Sequence, residues 1–347
     1  MIIVANTSKL RIAIRIEVFM KTWTKVLIGA AGVGTLAAGV IVARNIAVKK
    51  LTGLALARID PDKEKKSQSK SKGRISGTKP RDPAEIEKRR IASQKLKETE
   101  HQVIEMTAFD GVNLVGHYFK AENAKRVVIA MHGWRSAWDR DLGMIADFFF
   151  ESGCSVLFVE QRGQNASGGD FIGMGVVERF DCRDWAKYID RIEGGELPIY
   201  LYGLSMGAAT VLMSSGLDMP SSVCGIIADC GFTSPKAIWK HVTQNNMHIP
   251  YFFVADKVDK EYKRFTNHEC NVSCLDALAT TDIPVLFIHG TDDKFVPVEM
   301  TYENYQACAS DKDLLIIPGA GHVRCHSVDQ ERYEGKIFEF FSKHDNK

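Results

Sequence analysis

The sequence has no Cys-x-x-Cys pair, no zinc-ligand spacing, and no cysteine before residue 154. Those absences exclude a structural zinc module. The eight cysteines lie in the last two thirds of the chain, with Cys270 and Cys274 the closest pair. Most read as small buried hydrophobes, and the even count permits disulfides without specifying a pairing. Acidic residues are scarce at the start: residues 1–100 hold 9 Asp/Glu against 22 Lys/Arg, whereas the remainder holds 34 against 23. The net charge of +2 therefore hides a basic arm on an acidic globule. An acidic globule argues against nucleic acid as a partner, and a basic arm suits a surface of anionic lipids. The 45% hydrophobic content is ordinary and sufficient for a sizeable core.

Charge is missing altogether from residues 26–43. As a helix this run reaches about 27 Å, close to the thickness of a bilayer core. Lys21 and Lys25 flank it on one side and Arg44, Lys49 and Lys50 on the other. No small-x-small cleavage site closes the run and charged residues follow it, so the pattern predicts a single uncleaved anchor. Cysteine is absent nearby, which excludes attachment through a lipidated thiol. Small residues recur every fourth position at Ala30, Gly34 and Ala38, as expected for an Ala- and Gly-rich segment. Met20-Lys21-Thr22-Trp23 reads as an ordinary start, so residues 1–19 are expected to precede the natural initiator. A short lysine-bearing tail ahead of an anchor more often stays inside. The expectation is a single-pass protein of the cell membrane with an extracytoplasmic globule.

The expected organisation is a tail (1–25), the anchor (26–43), a basic flexible linker (44–83), a surface helix (84–100), and a catalytic domain (101–347). Residues 60–83 are Lys-, Ser-, Gly- and Pro-rich with almost no apolar side chain, the composition of a linker. From residue 102 onward, strand-like runs begin at 102, 112, 127, 155, 199, 225, 285 and 314. Helical periodicity is present over 139–152, 178–192, 298–307 and 329–341. Apolar strands alternating with amphipathic helices predict an α/β fold, a mostly parallel central sheet with helices on both faces. Ligands in such sheets bind at the carboxyl ends of the strands.

Several motifs fall at such ends. Tyr202-Gly203-Leu204-Ser205-Met206-Gly207 follows an apolar strand and precedes a run of small and apolar residues. This is the strand–turn–helix context in which G-x-S-x-G presents a nucleophilic serine. His132-Gly133-Trp134 ends an earlier strand, and the backbone N–H groups of Trp134 and Met206 are candidates to hold an oxyanion. His132 itself reads as structural. His289-Gly290-Thr291-Asp292-Asp293 ends a later strand; Asp293 is the better-spaced acid, with Asp292 second and Asp229 a remoter alternative. Gly319-Ala320-Gly321-His322 follows the last strand, so His322 is the expected general base, with His326 a weaker candidate. His322, Cys325 and His326 lack a fourth metal ligand, and no metal or other cofactor is called for.

With Phe109-Asp110-Gly111, Gln161-Arg162-Gly163 and the Asp293-x-x-Val-Pro stretch, these motifs make the chain resemble the alpha/beta-hydrolase superfamily. It is most similar to membrane-anchored bacterial serine hydrolases of the dienelactone-hydrolase and prolyl-oligopeptidase-like branch. The resemblance covers roughly residues 100–342 and implies a Ser205–His322–Asp293 triad. One departure is Gln164-Asn165-Ala166-Ser167-Gly168-Gly169, where the group usually has a small glycine-and-serine turn. Residues 232–280 are aromatic-rich and are expected to form a short helical cap whose aromatics mostly pack among themselves. The resemblance implies hydrolysis of a carboxylic ester in a small-molecule or acyl substrate. A peptidase, thioesterase or acyltransferase using the same machinery, or a membrane-tethered binding protein without chemistry, are the competing readings.

Overall fold

The computed structural model describes residues 33–58 and 81–345. Eight strands form one sheet: β1 Gln102–Thr107, β2 Asn113–Phe119, β3 Arg126–Met131, β4 Cys154–Glu160, β5 Ile199–Leu204, β6 Val223–Asp229, β7 Val285–Gly290 and β8 Lys312–Ile317. Their order is β1-β2-β4-β3-β5-β6-β7-β8. β2 runs antiparallel to both β1 and β4, and all other pairs are parallel. β3 to β7 are buried along their whole length because helices cover both faces. β1, at the sheet's edge, is half exposed and carries Gln102 and Glu105.

Alternation along the strands sends successive side chains to opposite faces. Val127, Ile129 and Met131 pack in one apolar cluster with Trp185 of the helix Glu178–Ile192 and with the helix Met206–Ser214. Val128 and Ala130 join a second cluster with Leu142, Ile145 and Phe149 of the helix Trp138–Glu151, and with Phe340 and Phe341 of the helix Gln330–His344. All eight cysteines are buried and none forms a disulfide, as small hydrophobes would be.

The surface helix expected over 84–100 spans Pro83–Glu98. Asp82 caps it by accepting from the Glu85 N–H at 2.8 Å, and proline occupies the first helical turn. Leu96 is buried in the second cluster. The helix lies directly on Trp138–Glu151, where a Cβ on Gly143 would come within 3.0 Å of the Ala92 backbone.

The chain divides into two compact units, Met1–Leu51 and Thr52–Lys347. The tail over 1–25, the Met20 start and residues 26–32 of the expected anchor lie outside the described residues, as do residues 59–80 of the expected linker. From Val33 the chain is helical as far as Leu56, so the first part of the expected linker is helix. Ala, Leu, Val and Lys dominate that stretch and proline is absent, so nothing in the sequence stops the helix at residue 43. Among the described residues no helix is long and apolar enough to cross a membrane; Arg44, Lys49 and Lys50 interrupt this one.

The insertion between β6 and β7 is helical, comprising Pro235–His241, a π-helical turn Val242–Asn246, a short 3-10 turn Tyr251–Phe253, Ala255–Thr266 and Cys274–Leu278. Phe232 and Tyr262 pack inward, and Trp239 meets Tyr262 edge-on at 5.5 Å. Phe252 and Phe253 are exposed, at 74% and 53%, and their rings pack against each other with centroids 4.1 Å apart.

Replacing Gly143 by Val forces a branched side chain into the contact with Ala92. Urea unfolding of the variant is expected to show a loss of roughly 1–3 kcal/mol, and an unchanged midpoint would mean that the Pro83–Glu98 helix is not packed there.

Candidate active site

Ser205 sits between β5 and the helix Met206–Ser214 with φ 55° and ψ −112°. That conformation is disfavoured for an L-residue and costs roughly 1–3 kcal/mol. The surroundings impose it: the Ser205 N–H donates to the Asp229 carbonyl at 2.8 Å. The turn is tight enough that a Cβ on Gly207 would collide with the Met131 carbonyl, and one on Gly203 with the Gly207 backbone. The side chain is thereby presented to His322, whose Nε2 lies 2.9 Å from Ser205 Oγ.

On its other side, His322 Nδ1 donates to Asp293 Oδ2 at 2.6 Å. Asp293 is held from every direction. Its Oδ1 accepts from the Phe295 and Val296 N–H groups, both at 2.9 Å. His289 Nε2 stands 3.2 Å from Oδ2 and 3.0 Å from the Val296 carbonyl, while His289 Nδ1 lies 2.6 Å from Thr301 Oγ1. Both neighbours of Nε2 are acceptors, so Nε2 carries the proton and Nδ1 accepts from the threonine hydroxyl. Burial opposes ionisation of Asp293, but the His322 imidazole and the histidine hydrogen bonds outweigh it and hold the carboxyl well below the ordinary range. An ionised Asp293 keeps the His322 proton on Nδ1 and leaves Nε2 free to accept from the serine.

Of the two neighbouring aspartates, Asp293 faces His322, while the Asp292 amide donates to the Ala320 carbonyl at 2.9 Å. Asp229, the remoter alternative acid, accepts from Tyr333 Oη at 3.0 Å, and Tyr333 is bonded in turn to Tyr202 at 2.8 Å. Burial pushes the Asp229 carboxyl up to about 6, against the pull of His289, the Tyr333 hydroxyl and His322. His326 turns to Glu334 at 2.8 Å, so the grouping of His322, Cys325 and His326 does not form. Cys230, Asp293 and His322 have ligand-type atoms within 4.8 Å of one another instead; two of these three groups are already bonded to each other. His132 is fully buried between the Gly133 carbonyl and the Gln161 N–H, a structural place.

Gly133 borders the serine: a Cβ there would lie 3.6 Å from that of Ser205. Its own N–H donates to Asp141 Oδ2 at 2.9 Å. Among the hydrogen bonds of the described residues, neither the Trp134 nor the Met206 amide has an acceptor. Met206 is the first residue of its helix, where free amides collect and negative charge is favoured. The motifs Phe109-Asp110-Gly111 and Gln161-Arg162-Gly163 meet in a structural contact. Arg162 is buried and pairs with Asp181 at 2.5 Å and with Asp110 at 2.7 Å. Sequence reasoning did not single out His289 or Asp141 as supports. Each is a common residue on a regular element, and only its partner distinguishes it.

Residues 122–256 match the family model described as serine aminopeptidase, S33. The uncharacterized protein YqkD of Bacillus subtilis is 25% identical over 231 residues, 66% of this chain and 75% of its own length. A non-heme chloroperoxidase of Kitasatospora aureofaciens is 23% identical over 284 residues, covering 68% of this chain and 98% of that protein. Among solved structures, a Pyrococcus furiosus esterase superimposes with a TM-score of 0.59 at 21% identity, covering 77% of this chain and 96% of the esterase. An acylaminoacyl peptidase of Pyrococcus horikoshii superimposes with a TM-score of 0.54 at 16% identity over 72% of this chain and 42% of that one.

The raised Asp229 carboxyl has a stability consequence. Between pH 4 and 6 the unfolded chain gives up this proton while the folded chain keeps it, so folding weakens as pH rises through that window and levels off above it. Asp229→Asn removes that loss. Urea unfolding should show the variant level with the parent near pH 4 and more stable by up to about 3 kcal/mol above pH 6; a pH-independent difference would refute the assignment.

Proposed function

We propose that the chain is a serine hydrolase of the alpha/beta-hydrolase superfamily, cleaving carboxylic ester bonds through an acyl-enzyme, a reading supported by the family-model match and the fold. The observation that carries this reading is the continuous line from Asp293 through His322 to Ser205, with contacts of 2.6 and 2.9 Å. Ser205 Oγ attacks the acyl carbon while His322 Nε2 takes its proton. Asp293 steadies the imidazolium that results. The Trp134 and Met206 amides receive the developing oxyanion. His322 returns the proton to the departing alcohol, and water activated by the same nitrogen then releases the acid.

The surroundings support an ester rather than an amine-bearing peptide. Phe295 packs edge-on to His322 at 5.0 Å, and Trp134 is partly buried against the apolar cluster. The family model's description favours the peptidase reading, and thioesterase or acyl-transfer chemistry would share the acyl-enzyme. A panel of p-nitrophenyl esters, acyl thioesters and aminoacyl anilides separates them.

Ser205 is only 4% exposed, so the probe of choice is a small fluorophosphonate. It should label the full chain at Ser205, and Ser205→Ala or His322→Ala should abolish labelling. Asp293→Asn should slow it by roughly 10³–10⁴-fold. A folded protein that stays unlabelled would favour the non-catalytic binding reading.

Attachment to a membrane through residues 26–43 belongs to the same reading, supported by the charge-free run and its flanking lysines. The full chain should remain in the membrane pellet after alkaline carbonate extraction; complete release would contradict a spanning anchor.

A further inference from the structure

Residues 52–58 pass beside the two loops that leave the carboxyl ends of β3 and β4. The Ala55 carbonyl accepts from Trp134 Nε1–H at 2.8 Å. The Leu56 carbonyl accepts from the Ile172 N–H at 2.7 Å, and Ala57 pairs with Phe171 in an isolated antiparallel bridge. The Leu56 side chain is fully buried in the first apolar cluster. Arg58 Nη1 donates to the Ser167 and Gly169 carbonyls at 2.7 and 2.8 Å, and Nη2 lies 3.4 Å from the Asn165 carbonyl.

The two loops are also tied to each other. Asn165 Nδ2 donates to the Ser136 carbonyl at 3.0 Å, and the Gln161 side chain donates to the His132 carbonyl. The contacts therefore close a ring: Ala55 to Trp134, along the β3 loop to Ser136, across to Asn165, and back through Arg58. Each loop holds a non-glycine residue at positive φ, Arg135 at 51° and Asn165 at 52°. Such conformations persist only where neighbouring contacts over-determine them. The β4 loop lacks part of that support from within, because Gln164 is fully buried with neither side-chain amide atom bonded to protein.

We propose that residues 52–58 are a positioning element for the oxyanion hole, with Arg58 and the Ala55 carbonyl setting the backbone at Trp134 from outside the catalytic sheet. This rests on the reading of Ser205 as nucleophile. Arg58 touches no reacting atom; it acts through the loops. Its effect falls on the transition state, because the Trp134 amide gains its partner only when the oxyanion forms.

The test uses the full chain with Arg58→Ala, Arg58→Lys and Trp134→Phe, the last removing the indole N–H that binds Ala55. With active sites titrated by fluorophosphonate, Arg58→Ala and Trp134→Phe should lower kcat on an ester by at least about tenfold. KM should change by less than about threefold. Arg58→Lys, which still offers a donor to the carbonyls, should recover a large part of the loss. Hydrogen exchange supplies a readout independent of activity: the Gly168 and Ile172 amides should lose protection in Arg58→Ala. Wild-type kcat in both Arg58→Ala and Trp134→Phe would overturn the proposal, and so would loss of activity that Arg58→Lys fails to restore. An unlabelled wild type would sink the hydrolase reading itself. In that event unchanged protection of Gly168 and Ile172 in Arg58→Ala overturns the positioning role as well, and lost protection supports the bracing of the loops.

Discussion

The buried carboxylate of Asp293 is the constraint on which the rest of the site depends. An ionised carboxylate in a dry interior is costly unless its oxygens are occupied. Here two backbone N–H groups, His322 and His289 occupy them. Because the carboxylate keeps its charge, the proton of His322 stays on the nitrogen that faces it, and the other nitrogen faces Ser205. The chain therefore makes a local turn after β7 that wraps its own amides round Asp293, and a loop after β8 that brings His322 within reach from 29 residues away.

The serine side of the site depends on shape more than charge. The elbow at Ser205 is strained, and the strain persists because Gly203 and Gly207 let the turn pack against β3. Gly133, two residues past the end of that same strand, lies beside the serine. The Ser205 hydroxyl and the candidate oxyanion amides are thus registered against one another by the pairing of β3 with β5. Loops after β3 and β4 carry the remaining freedom, and residues 52–58 take up part of it.

Much of this was legible in the sequence because it rests on local patterning. Apolar runs mark the buried strands β3 to β7, and the starts of all eight strands were recognisable. G-x-S-x-G between a strand and a run of small residues marks an elbow. The helix over 178–192 shows its apolar face at a regular spacing. The linker reading that failed, and the choice of acid that stayed open, both depended on context. The helix from Val33 passes residue 43 because lysine and arginine end an apolar run without ending a helix. Asp292 and Asp293 are adjacent and chemically identical, and spacing favoured one without excluding the other.

The sequence by itself determined the fold class, the order of the strands along the chain, and the identities of the serine, histidine and acidic loop. Local periodicity and turn chemistry are sufficient for these, because each is written within a few neighbouring residues. Tertiary structure alone decided which aspartate faces His322, that His289 and Asp141 support the site, and that residues 52–58 lie against Trp134. Those relations join positions 4 to 79 residues apart. They follow from how strands stack and loops close, and no local pattern encodes distances of that kind.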